Sequence, residues 1–153
     1  MIYLFSLGAL VAVTALFFGL ARGCFRRFGI LQRVLKVLVV LPLLVSGVAH
    51  LIIPAAMAQI IPAIFPAKTL LVIVSGIAEL AGAAGLFLPR TERAASLCLA
   101  LLMIAIFPAN IHVAGQTLHG MYMPAVPTRL LMQMIYIVLV LAAGWGWPVL
   151  RRQ

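Results

Sequence analysis

"LLVIVSGIAELAGAAGLFL", residues 70–88, is an apolar run of membrane-crossing length with a carboxylic acid near its middle. The acid is Glu79, one of only two acidic residues in a chain of 153. A hydrocarbon core about 30 Å thick takes about 20 helical residues to cross, and this run meets that length. A charge at mid-bilayer costs on the order of 3 kcal/mol even on lenient insertion scales. A Glu kept there therefore needs a partner, a wet cavity, or both.

The rest of the chain repeats the pattern. Hydrophobic residues make up 66% of the sequence and charged ones 8%, against roughly half and a quarter in a soluble domain. The composition excludes an ordinary soluble fold and implies an integral membrane protein forming one domain over residues 1–153. Five runs reach spanning length, at about 2–20, 34–53, 69–88, 94–115 and 130–149. The expected fold class is all-α, a polytopic membrane helix bundle.

Charge sets the expected topology. Arg22, Arg26, Arg27, Arg33, Lys36, Arg90, Arg93, Arg151 and Arg152 all fall on one side of a five-span arrangement, and only Lys68 and Arg129 on the other. The positive-inside rule then puts the N-terminus outside and the C-terminus in the cytoplasm. Topology uses up the net charge of +9, and no basic stripe with interleaved aromatics is left for nucleic acid. The first run lacks a basic leader and "GLARGCF" is a poor cleavage site, so it reads as an uncleaved helix. Cys24 and Cys98 form no Cys-x-x-Cys pair and read as structural thiols, not a dithiol relay.

Two prolines, Pro42 and Pro108, fall inside runs and should kink their helices, freeing carbonyls that need partners from the bundle. Both kinks are expected to face protein. Ala78 and Gly82, and Ala81 and Gly85, are spaced four apart, which permits close helix approach and suggests a central position for the third run. The link from Pro54 to Lys68 is apolar but broken by prolines, and reads as a short interfacial segment over the bundle mouth. Residues 115–128 form an uncharged outer link.

With this topology the polar side chains of four runs converge in the outer half. His50 has Ser46 one turn below it; Ser75 and Glu79 share a face; Asn110 and His112 close the fourth run; Arg129, Gln133 and Tyr136 open the fifth. The inner half reads as almost purely apolar. Arg129 and His50 are the available partners for Glu79, and a Glu79–Arg129 contact is the expected one.

The segments "SGVAHLIIP" (46–54), "SGIAELAGAAGLFLPRTERAA" (75–95) and "FPANIHVA" (107–114), with Arg129 four residues before Gln133, resemble the DoxX-like family of small membrane proteins. The resemblance covers about residues 33–147 and implies a four-helix core at 33–149, to which the helix at 2–20 is an addition. His50, Glu79, Asn110, Arg129 and Gln133 stand at the family's motif positions. Leu51 replaces an aromatic that often follows the family's His, so no stacking role carries over to it. The family is named for a small subunit of a membrane thiosulfate:quinone oxidoreductase. Other members resemble accessory factors of membrane complexes, and distant ones receptor-assembly chaperones. The resemblance therefore implies a protein of the bacterial cytoplasmic membrane.

Three functions follow from these readings. One is an accessory, assembly or binding subunit of a membrane redox complex, with membrane lipids and a membrane protein as partners and homo-oligomerisation left open. A second is a quinone-linked oxidoreductase subunit, in which His50, Glu79 and Arg129 supply hydrogen bonds and a proton. The chain has no flavin, haem or iron–sulfur signature, so electrons would enter from a partner and quinone is the one cofactor to consider. The third is copper or small-solute handling, resting on His112, His119, Met121 and Met123. Seven methionines are ordinary apolar filler in such a chain, and no metal site is assigned.

Overall fold

The computed structural model describes residues 30–118 and 121–145. The run at 2–20, Cys24, His119 and the terminal arginines lie outside the described residues. Within them the fold is all-α, with four helices long and apolar enough to cross a membrane. They are α1 (Ile30–Ile52), α3 (Lys68–Gly85), α4 (Glu92–His112) and α5 (Val126–Trp145); a short helix α2 (Pro54–Ala58) follows α1. The link before α5 holds one minimal antiparallel ladder, β1 (Thr117–Leu118) with β2 (Met121–Tyr122).

The helices pack in a ring: α1 on α3, α3 on α4, α4 on α5, and α5 back on α1. Each owes its place to a stripe with helical spacing. On α1 the stripe is Lys36, Val39, Val40, Leu43, Leu44 and Val48; on α3 it is Val72, Gly76, Glu79 and Ala83. Ser96, Leu99, Ala100 and Met103 continue it on α4, and Val140, Ala143 and Gly144 on α5. The opposite faces carry large exposed apolar residues, among them Leu38, Val45, Ile77, Leu101, Ile104, Leu131 and Val138. A soluble monomer rarely exposes so much contiguous apolar surface. In a bilayer this surface is the solvated one.

The third run is less central than its small residues suggest, because every helix of the ring has two long neighbours and the α1 window is the most buried. Close approach on α3 occurs at Gly76, Gly82 and Gly85, while Ala81 is exposed. The prolines meet the expectation only in part. Helices α1 and α4 run on through Pro42 and Pro108; both rings are exposed, but Pro108 also lines a cavity between α3 and α4. Val39 and Leu43 hold the core stripe of α1, which turns Pro42 outward. What faces the bundle is a neighbouring carbonyl in each case: the Tyr136 hydroxyl donates to Val39 O at 2.5 Å, and Gln133 Nε2 donates to Met103 O.

Candidate functional site

The site is set by a crossing of two glycines. A Cβ on Gly76 would stand 2.6 Å from His50 Cβ and 3.0 Å from Gly47 O, so the α1 and α3 backbones touch there. This approach brings His50 and Glu79 together, each one turn past the glycine of its own helix. His50 Nδ1 lies 3.6 Å from Glu79 Oε1, beyond hydrogen-bond length. The Ser75 hydroxyl donates to Val72 O at 2.8 Å, and its oxygen lies 3.4 Å from His50 Nδ1. With that hydroxyl proton used, Ser75 can only accept from the ring, which assigns the proton to Nδ1. Nε2 is then the nitrogen left to a ligand.

Glu79 is 1% exposed. Ser46 stands beside its carboxyl, yet Oε2 has no hydrogen-bond partner. Buried polar atoms are nearly always paired, so this oxygen marks an unfinished network. Outward of it, a cavity of about 330 Å³ opens between α3 and α4. Its walls are apolar, with Val72, Leu102, Ala105 and Ala109 on the two helices and Ile60, Ile61 and Phe65 contributed by the α1–α3 link. The polar groups that reach it are His50, Ser75 and Asn110. The link therefore does cover the bundle mouth.

A second cluster joins α4 to α5. Asn110 Nδ2 donates to Gln133 Oε1 at 2.9 Å, and Arg129 Nη1 donates to Asn110 O and Oδ1 at 3.3 and 3.4 Å. Arg129 Nε donates to Pro124 O at 3.2 Å. Beside them a groove of about 400 Å³ is lined by Met103, Met132 and Tyr136 as well as the polar three. Asn110 borders both cavities.

The expected polar residues thus fall into two groups: His50, Ser46, Ser75 and Glu79 on α1 and α3, and Asn110, Arg129 and Gln133 on α4 and α5, with Tyr136 lining the second group's groove while its hydroxyl reaches across to Val39 of α1. His112 joins neither. It lies exposed in the last turn of α4, with its carbonyl accepting from Gln116 Nε2 at 2.7 Å.

The Glu79–Arg129 contact does not form; Glu79 meets His50, and Arg129 meets Asn110. Register gives the reason. Gly82 faces Leu99 and Gly85 faces Ala95, so Asn110 stands level with about Leu71, roughly 12 Å along the axis from Glu79. Arg129 is held at the height of Asn110. Arg129→Ala and Glu79→Gln are accordingly expected to add in a double mutant, coupling by less than about 0.5 kcal/mol in detergent unfolding.

Composition also misled at the other end of the bundle, where a second buried polar centre interrupts the expected apolar half. Lys36 is 0% exposed and pairs with Glu92 at 2.8 Å, and its Nζ also donates to Leu86 O. Ser96 Oγ donates to Val140 O at 3.0 Å beside it. One signal was available: Lys36 lies seven and fourteen residues before Leu43 and His50, on their helical stripe. Among the described residues no three His, Cys, Asp or Glu side chains are grouped to hold a metal.

No curated protein and no solved structure matches this chain. A family model described as "Domain of unknown function (DUF8561)" matches residues 38–144, which takes in α1 from Leu38 through α5 to Gly144, both cavities and all the polar residues that line or join them, but not Lys36. The chain belongs to that family.

Proposed function

We propose that this protein is an accessory binding or assembly subunit of a membrane redox complex, DoxX-like in kind, whose outer-half cavity takes the head of a membrane lipophile. The observation that carries the reading is the cavity between α3 and α4. It is apolar enough for a lipophile, and His50, Ser75 and Asn110 are its polar contacts. Small-molecule sites have this make-up, apolar walls with a few placed polar groups. On this reading the chain spans the bilayer five times, with the N-terminus outside and the C-terminus in the cytoplasm of a bacterial cell. The cluster of Arg33, Lys36, Arg90 and Arg93 at one end favours that orientation.

Purification from native membranes in mild detergent tests the accessory role. A membrane protein partner in fixed ratio is expected with the wild type and with Glu79→Gln; a chain that always purifies alone contradicts it.

The quinone-linked reading is favoured by one further observation. His50 and Asn110 stand on different walls of the same cavity, and the reduced form of a quinone offers a hydroxyl to the bare Nε2 of His50 and its other oxygen to the second N–H of the Asn110 amide. The residues present fit a quinone head. When bound, a quinone would supply two-electron redox chemistry; the chain's own part is to orient it through His50 and Asn110 and to exclude water with Ile61 and Phe65. Decylubiquinol is then expected to raise the unfolding temperature of the wild type, by about 2.7 kcal/mol of stabilisation at a hundredfold excess over Kd. It should leave Ala109→Phe, which fills the cavity, unchanged.

A further inference from the structure

The sequence holds two acidic residues, and both are engaged away from α5: Glu79 with His50, Glu92 with Lys36. Arg129 is therefore a guanidinium with no acidic side chain in the protein to neutralise it. Its contacts among the described residues are two backbone carbonyls and the Asn110 amide oxygen, at 3.2 to 3.4 Å. It stands in the first turn of a helix long and apolar enough to cross a membrane, and the end of such a helix is where a bilayer would bring lipid phosphates. The groove of about 400 Å³ begins at this guanidinium and runs along α5 past Met132, Gln133 and Tyr136.

We propose that Arg129 and Asn110 form a phosphate site at headgroup depth, with the α4–α5 groove receiving an acyl chain when the phosphate belongs to a lipid. Three features carry this. Arginine's planar fork matches phosphate oxygens and stays charged at any physiological pH. Nη1 and Nε are used on carbonyl and amide oxygens, while the donors of Nη2 have no bond within the described residues. Asn110 Nδ2 is engaged by Gln133, which fixes the amide so that its Oδ1 orients the guanidinium. Basic pockets between membrane helices hold lipid head groups by the same means. The inference does not depend on what fills the cavity beside His50.

The test is a native mass spectrometry titration in an uncharged maltoside detergent. Its three arms are phosphatidylglycerol, diacylglycerol of the same chains, and inorganic phosphate. The wild type is expected to hold phosphatidylglycerol at least about tenfold tighter than diacylglycerol, the scale of one charged hydrogen bond. Arg129→Gln should lose that preference. Should Arg129→Gln fail to fold, Met132→Glu serves in its place. Met132 is 60% exposed, and a carboxylate three residues along α5 would occupy the guanidinium. Competition by millimolar inorganic phosphate would support the site and identify the free ion as a ligand; its absence beside lipid binding would assign the site to headgroups. Equal retention of both lipids by the wild type with no phosphate binding overturns the proposal, as does a preference that survives in both variants.

Discussion

Gly76→Val should unfold the protein more readily than any substitution on its lipid face, by about 3 kcal/mol or more. The Cβ alone would sit 2.6 Å from His50 Cβ and 3.0 Å from the Gly47 carbonyl, and the latter is backbone that no rotamer change can move. Helices α1 and α3 must then separate, which strips contacts from Val72, Val48 and Leu44 at the same time. Overpacking a tight interior costs about 1–3 kcal/mol, and more where backbone is hit. Ile77→Val is the control, one residue along but 55% exposed, and should change stability by no more than about 1 kcal/mol. Denaturant or thermal unfolding in detergent reads both. Equal effects would mean that the glycine crossing does not hold α1 against α3.

Glu92→Gln has the second large expected effect. It removes the carboxylate 2.8 Å from Lys36, which is 0% exposed and whose other bonds include one to the Leu86 carbonyl. Removing one member of a buried pair typically costs 3–5 kcal/mol because the survivor stays desolvated. Lys36→Met should cost less, since Glu92 retains some access to solvent and occupies the first turn of α4, where the helix dipole favours an anion. The double variant Lys36→Met/Glu92→Gln should recover most of the Glu92→Gln loss. A double-mutant cycle in detergent measures this coupling, and simple additivity would show that the pair is not bound as described.

These two centres mark what one-dimensional reading can and cannot reach. The four apolar runs that fall among the described residues are helices within a few residues of their expected limits, because crossing length and proline-bounded links are one-dimensional properties. The third helix stops at Gly85 rather than Leu88 because Leu86, Phe87 and Leu88 turn back on Gly82, Ala84 and Gly85. Burial of Glu79 was legible from its place in the run, and its proximity to His50 from their shared outer half. The choice of His50 over Arg129 was not. It depends on inter-helix register, which Gly76 against Gly47 and Gly82 against Leu99 set in three dimensions. Lys36 was misread for a related reason. A basic residue near a helix end satisfies a topology rule equally well in water or in the core, and only its helical angle tells them apart.

Ala109 sits on the wall of the α3–α4 cavity, and native mass spectrometry of mildly extracted wild type beside Ala109→Phe addresses that cavity itself. A small lipophile retained by the wild type and missing from an intact, equally stable Ala109→Phe is the predicted result. The same annular lipids on both proteins, with no further lipophile on the wild type, would contradict a ligand site between α3 and α4.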